Sequence, residues 1–401
     1  MTLEVIIPAD IRFPLERANG VQIVKTAAAL ARTGARTTLL VRQSDPRPTS
    51  EILGLYGVDA DPNLAVRRLQ VLHRRGSFAI PRASYLVKAA AAAVAGLRNG
   101  AVVFTRDLQL ADLLLALPLS RCPVVYEAHA VEALMYRERG ALYGHAEEPS
   151  PRKARRLARR EGRVWRHAAG FVTTTAGIRD TLAEAHGPRP RTCVIPNGCD
   201  VPASRSFPGL ADIRPPRVLY AGQLYPWKGV DVLVKAVAQV PELRLVLLGG
   251  IAGEVDTERV RGLVEASGIA QRTEWHGTVP QARVAEELAR ASLVAVPFLR
   301  SVMTERHTSP LKAFEAMAAG RPMVVSDLPS SREFLRDGEN ALLVPAGDAV
   351  ALAGALRRLI EDRDLALRLA RTAYDEAPRY SWDARARRLA DLLLEVRSGV
   401  A

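Results

Sequence analysis

The chain has 401 residues, of which 48% are apolar and 25% charged, and a formal net charge of +13. That length predicts two or three domains, with two as the working count, and the balance of residues excludes a fibrous or disordered class. Only six of the 56 basic residues are lysine and aromatic residues make up 5%; without basic-aromatic interleaving, zinc-finger spacing or an RNA-binding signature, nucleic acid is not expected as a partner.

The opening "MTLEVIIPAD" has neither a positive n-region nor a long apolar core, and no stretch approaches about 18 uncharged apolar residues. A cytoplasmic protein is therefore expected. Cys122, Cys193 and Cys199 form neither an even framework nor a CxxC pair, so no disulfide and no metal site is expected.

Short apolar runs alternate with helix-period segments along the chain, the pattern of βα units wound into parallel sheets. The first half places strands at 3–7, 37–41, 102–105, 124–126, 170–174 and 193–195. The second places them at 217–221, 243–248, 273–275, 293–297, 323–326 and 341–344. Between the halves, "PASRSFPGLADIRPP" at 202–216 lacks apolar periodicity and reads as the linker. The expected fold is α/β: two Rossmann-like, doubly wound parallel-sheet domains, 1–205 and 206–380, facing an interdomain cleft. A helix at 381–401 is expected to pack back on the first domain. Ligands of such sheets bind beyond the carboxyl ends of the strands.

Candidate residues follow strands. In the first half, Asn19-Gly20 opens a helix after the first strand, where backbone amides or an ordinary turn are both readings. Glu127, His129 and Glu132 follow the strand ending at Tyr126. The eight Lys or Arg residues at 152–166 read as a solvated helix face, with contact to an anionic membrane surface or an acceptor as the alternative.

In the second half, "VLYAGQLYPWKGVDVLVKAV" ends a strand at Gly222 and brings Lys228 to a helix start, where free N–H groups favour phosphate. In "TEWHGTVP", His276-Gly277 ends a short strand and leaves room for a ligand near the backbone. In "TSPLKAFEAMAAGRPMVVSD", Ser309 suits an N-cap, Pro310 the first turn and Gly320 the left-handed C′ position, which predicts a helix over 310–319. Glu315 lies at the border of its apolar face, within i,i+3 reach of Lys312, and a solvated ion pair is the plainest reading of it.

Taken in order, "IPNGCDV", "YAGQLYPWKGVDVL", "LVLLGG", "EWHGTVP", "TSPLKAFEAMAAGRPMVVSD" and "ENALLVPAGD" resemble the donor-binding half of retaining family-4 glycosyltransferases with the GT-B fold, over nearly all of 193–350. "NGVQIVKTAAALARTGARTTLLV" and "VVYEAHAVE" extend the likeness more faintly into the first half. The resemblance implies metal-independent transfer of a sugar from a nucleoside-diphosphate sugar (UDP-, GDP- or ADP-) to the hydroxyl of a glycan, a lipid-linked or a small-molecule acceptor, with no tightly bound cofactor. It assigns Gly222, Gln223, Lys228, His276, Gly277, His307, Thr308, Ser309, Pro310, Leu311, Lys312 and Glu315 to the donor, with Glu315 accepting hydrogen bonds from the ribose hydroxyls. Lys228 and the amides of residues 309, 311 and 312 would stabilise charge growing on the diphosphate. His129 would position the sugar or acceptor, while Asn19, Gly20 and Glu127 fall on the acceptor or phosphate side. His307 stands where family members commonly carry a glutamate, Thr308-Ser309-Pro310 replaces a Gly-Phe-Gly-like loop, and Gln223 replaces a frequent arginine. A catalytically silent nucleotide-sugar-binding scaffold and a sugar-nucleotide epimerase are the competing readings; no GxGxxG favours an oxidoreductase.

Overall fold

Runs such as Val102–Thr105 are buried along their whole length, as strands become when helices cover both faces of a parallel sheet. The computed structural model describes residues 2–15, 17–72, 79–118, 122–144, 148–210 and 213–399. They form two units: one is Met1–Arg137, Pro149–Asn197 and Trp382–Ala401, and the other Glu138–Glu148 and Gly198–Ser381.

The strands in chain order are β1 (Glu4–Phe13), β2 (Arg36–Gln43), β3 (Leu64–Leu69), β4 (Val102–Thr105), β5 (Val124–Ala128), β6 (Gly170–Thr173), β7 (Thr192–Val194), β8 (Arg217–Ala221), β9 (Arg244–Leu248), β10 (Thr273–Trp275), β11 (Leu293–Val296), β12 (Met323–Ser326) and β13 (Leu342–Val344). The helices are α1 (Ala18–Arg32), α2 (Thr49–Leu55), α3 (Ala79–Arg98), α4 (Leu108–Leu115), α5 (Glu132–Arg137), α6 (Arg139–Tyr143), α7 (Pro151–His167), α8 (Ala176–His186), α9 (Val230–Ala238), α10 (Val255–Ala266), α11 (Gln281–Ala289), α12 (Val302–Arg306), α13 (Leu311–Ala318), α14 (Pro329–Arg332), α15 (Ala349–Glu361), α16 (Arg363–Glu376) and α17 (Trp382–Ser398).

The first unit holds a seven-stranded sheet in the order β3-β2-β1-β4-β5-β6-β7, and the second a six-stranded sheet in the order β10-β9-β8-β11-β12-β13. All their pairings are parallel. Each sheet is doubly wound, so each has a switch point where the direction of winding reverses: between β1 and β4 in the first unit, and between β8 and β11 in the second. Twelve of these strands lie where apolar runs placed them. The thirteenth, β3, is an edge strand that alternates half-buried with exposed residues and carries Arg67 and Arg68, so no apolar run announces it.

Besides the excursion of Glu138–Glu148, the chain passes to the second unit at 197/198 and returns at 381/382, whereas composition placed the crossing within 202–216. Aromatic packing explains the difference: Phe207 meets the Tyr374 ring edge-on at 5.5 Å, and the Arg205 guanidinium lies 3.9 Å from that ring's centroid. Those contacts fasten the described part of the segment to α16; residues 211 and 212 lie outside the described residues.

In the first unit α17 packs on α1. Arg32 bonds Asp383 at 2.6 Å at the surface. Beneath it Arg385, 3% exposed, donates to Glu127 on β5, to Thr26 on α1, and to the carbonyls of Ile195 and Pro196 after β7, each at 2.7 Å. Burial would raise the Glu127 carboxyl, but the charge of Arg385 beside it, with His129 and Arg106, holds it well below the usual carboxylate range. A folded-state pKa depressed in this way contributes stability that is present in full above the unfolded value, about 4.3, and is lost as pH falls toward the folded one. Arg385→Ala is expected to destabilise the unit by about 3–5 kcal/mol, because a buried carboxylate loses its partner. Adding Glu127→Gln should recover part of that loss in denaturant unfolding at pH 7; a double variant no more stable than the single one refutes the ion-pair account.

Candidate functional site

At the second unit's switch point the loops after β8 and β11 are pressed together. Gly229 has φ +71°, and a Cβ placed on it would lie 1.7 Å from the Pro297 carbonyl oxygen. This contact fixes the turn Pro226–Lys228, which ends on Lys228 just before α9. The Lys228 Nζ lies 3.8 Å from the Trp227 ring centroid and 5.0 Å from that of Phe298 after β11. From the first turn of α13, the Lys312 Nζ reaches to 3.8 Å from the Tyr220 ring on β8 and 5.5 Å from Phe298. Two ammonium groups thus converge on one phenyl ring at the carboxyl ends of β8 and β11.

The buried Lys312 Nζ makes no hydrogen bond, and the attraction of Glu315 acts on it without outweighing burial and the neighbouring Lys228 charge. Burial pushes the Lys228 ammonium down to about 7. Lys312 is driven well below the usual lysine range by burial first and then by the charge of Lys228. The solvated Lys312–Glu315 pair expected from the sequence is therefore corrected: α13 starts at Leu311 with Pro310 as its cap, and Lys312 turns inward. Glu315, half-buried, accepts from the Gln281 Nε2 at the start of α11 at 2.7 Å.

Neighbouring strand ends are stitched into a floor. Gly222 N–H donates to the Leu248 carbonyl at 2.7 Å, and Gly249 N–H to the Gly277 carbonyl at 2.6 Å. A side chain on Gly249 would lie 1.9 Å from the Gly222 oxygen, and a Cβ on Gly222, at φ +142°, would crowd the Lys312 Nζ at 3.1 Å. His276, exposed, follows β10 with its backbone N–H on the Leu247 carbonyl at 3.0 Å. The Gln223 carbonyl accepts the Tyr220 hydroxyl at 2.6 Å. Gly222, Gln223, Lys228, His276, Gly277, Leu311, Lys312 and Glu315 thus all lie just beyond strand ends of this sheet or on α13. Ser309 and Pro310 lead directly into that helix.

Two neighbouring residues behave differently. Thr308 donates its hydroxyl proton to the Met303 carbonyl at 2.8 Å, so that proton is already committed. His307 is 1% exposed with both ring nitrogens unpaired, and burial, with Arg306 adjacent, lowers it to about 4. Sequence reasoning passed over Phe298, Tyr220 and Gln281. Phe298 and Tyr220 resembled ordinary core residues, and Gln281 differs from its surroundings only in following the His276–Gly277 segment closely.

In the first unit, β5 carries Glu127 and leads to His129, whose Nε2 lies 3.1 Å from the Glu127 Oε2. Gln22 on α1 donates to the same oxygen at 3.2 Å and accepts from Arg106 after β4 at 2.6 Å. Burial, then the Arg106 charge, brings His129 to about 4, so its imidazole is neutral at pH 7. Glu127 is 0% exposed with both oxygens engaged, which removes it as a direct contact for an acceptor. Gly20 is also reassigned: a Cβ there would meet the Leu15 carbonyl oxygen at 1.8 Å, so its small size serves the loop before α1. Asn19 beside it is exposed, and the Glu132 N–H donates to Glu161 on α7 at 2.6 Å.

Residues 19–198 match the glycosyl transferase 4-like domain, and residues 215–362 match glycosyl transferases group 1. D-inositol 3-phosphate glycosyltransferase of Nocardia farcinica is 31% identical over 280 residues, covering 65% of this chain; the chain spans 59% of that relative's length. Sucrose-phosphate synthase of Thermosynechococcus elongatus aligns with 99% of this chain and 100% of its own at a TM-score of 0.75 and 21% identity. HepE of Anabaena, solved in complex with UDP and glucose, aligns over 98% and 99% at a TM-score of 0.72 and 19% identity. With both sheet units matched to one group of enzymes, and the topology shared with those solved structures, the chain belongs to the family-4 glycosyl transferases (group 1) and has the GT-B fold.

Proposed function

We propose that the protein is a retaining, metal-independent glycosyltransferase that moves a sugar from a nucleoside-diphosphate sugar to an acceptor hydroxyl. The observation that carries this reading is the pair Lys228, half-buried, and Lys312, buried, which converge on Phe298 at the switch point of the second sheet, the Lys312 Nζ making no hydrogen bond. Two unneutralised cations in one low-dielectric place are costly unless a dianionic ligand joins them. A diphosphate supplies that charge, and as the glycosidic bond breaks its negative charge grows, so fixed cations stabilise the transition state more than the ground state. The leaving phosphate itself takes the acceptor proton, so no side-chain nucleophile is needed.

Glu315, next to Gln281, accepts hydrogen bonds from the ribose hydroxyls, and His129 positions the transferred sugar or the acceptor as a neutral imidazole. UDP-sugars are the first donors to test, because HepE was solved with UDP and glucose. An inositol-type hydroxyl is the first acceptor, in keeping with the name of the Nocardia relative. A cytoplasmic setting, where thiols stay reduced, suits the three free cysteines.

Three outcomes test the reading. Lys228→Ala should lower turnover about 100- to 1,000-fold, the usual loss when one charge-stabilising group is removed. Sugar transfer with inversion of the anomeric centre, seen by proton NMR of the product, would defeat the retaining mechanism, and tight nucleotide binding without acceptor-dependent turnover would favour the scaffold.

Diphosphate binding should depend on pH with a definite sign. Binding favours the charged lysine and raises its pKa, so protons are taken up above the free value of about 7. Affinity for UDP should accordingly fall by about tenfold per pH unit between 7.5 and 9 by linkage, with matching proton uptake in calorimetry; a flat profile excludes Lys228 from the phosphate site.

Glu315→Ala should weaken UDP by about 10- to 100-fold, the loss of hydrogen bonds to a charged group, while leaving inorganic pyrophosphate unchanged. Equal losses for both ligands would place Glu315 on the phosphates or in the scaffold.

A further inference from the structure

Away from the strand ends, α7 carries a charge pattern that neither the fold nor sugar transfer uses. One face is buried: Ala154, Glu161, Val164 and Trp165 pack inward, with Trp165 edge-on to Phe171 at 4.8 Å. The opposite face is arginine throughout. Arg152, Arg155, Arg156, Arg159, Arg160 and Arg163 recur at spacings of three and four, and with Asp112 of α4 they line a groove of about 470 Å³. Asp112 sits 3.4 Å from Arg160 and 3.2 Å from Arg163. It is too little to balance six cations. Arg152, Arg155, Arg156 and Arg159 have no carboxylate partner among the described residues.

We infer that this arginine face is a docking surface for an anionic phospholipid membrane. About three turns of helix set the guanidinium groups from Arg152 to Arg163 in a row of about 16 Å, which matches a plane of phosphate headgroups. Arginine binds phosphate oxygens through paired donors. The row contains no aromatic side chain on which a nucleic-acid base could stack. Leu113, next to Asp112 in the sequence of α4, is 43% exposed, a short apolar contact for the interfacial layer. No helix among the described residues is long and apolar enough to cross a membrane, so the contact is peripheral. The inference goes beyond the catalytic reading and stands whether or not Lys228 and Lys312 bind a diphosphate.

The test is co-sedimentation of the full chain with vesicles at about 0.15 M salt, where long-range attraction is screened. Vesicles of phosphatidylglycerol mixed with phosphatidylcholine should carry the protein down, and phosphatidylcholine alone should not. Each arginine near an anionic surface is worth about fivefold in partitioning, so the triple change Arg155→Glu, Arg156→Glu, Arg159→Glu should cost at least about 100-fold. A control with the same charge change at exposed sites elsewhere, Arg98→Glu, Arg368→Glu and Arg387→Glu, should lose far less. If charge reversal prevents folding by circular dichroism, glutamine at the three α7 positions keeps the comparison. Equal losses in test and control would reduce the effect to net charge and overturn the proposal. Failure of the native chain to bind phosphatidylglycerol, or its displacement from vesicles by a single-stranded oligonucleotide at equal charge, overturns it too.

Discussion

The second unit depends on a conflict that it can relieve by itself only by giving up charge: two lysine ammonium groups held over the same phenyl ring, in surroundings that penalise charge. Everything local to them serves that placement. Gly229 lets the β8 loop lie against the Pro297 carbonyl, which brings Lys228 to Phe298. Gly222 leaves the space that the Lys312 Nζ fills, and Tyr220 offers that group only a ring face. The rings soften the desolvation of a cation but do not neutralise it. Strain of this kind is expected where a ligand completes the electrostatics, and the switch point of a doubly wound sheet is where such ligands bind.

The first unit settles its buried charges internally. Arg385, Arg106, Gln22 and Glu127 link α17, the end of β4, α1 and β5 in one hydrogen-bonded group, with the His129 Nε2 3.1 Å from the Glu127 carboxylate. Its anion is fully buried, and its histidine has 20% of the side chain exposed. Such an arrangement orients the imidazole and keeps it neutral, while Arg385 ties the same group to the C-terminal helix. The two units therefore use buried charge in opposite ways: one saturates it to hold a helix and a ring in place, and the other leaves it open.

Legibility followed the range of the physics involved. Buried parallel strands are short apolar runs, a signal carried by consecutive residues, and twelve were visible; β3, half-exposed at an edge, was not. Motif spacing showed that Lys228, Lys312, Glu315, Gly222 and Gly277 follow strands. It could not show that the Lys312 ammonium lies over the Tyr220 ring, because that depends on a strand distant in sequence. Glu127 failed in the opposite sense: a carboxylate just before a histidine resembles a site residue, and only the return of the chain's last helix shows that Arg385 claims it. The boundary at 202–216 moved for a related reason, since two aromatic rings and an arginine outweigh a composition rich in proline and small residues.

The choice of lysine at the switch point has its own logic. Only six of the chain's 56 basic residues are lysine, so at an arbitrary position arginine is by far the commoner cation here. Arginine keeps its proton under any condition a protein meets, and two buried guanidinium groups would carry their mutual repulsion and desolvation through every moment without ligand. Lysine can shed its proton when buried, and Lys228 is lowered to about 7 with Lys312 below the usual range. The empty site can thus relieve its own repulsion by releasing protons and recover the charge when an anion arrives. Arginine predominates instead on the solvated face of α7, where water screens each charge and permanent protonation costs little.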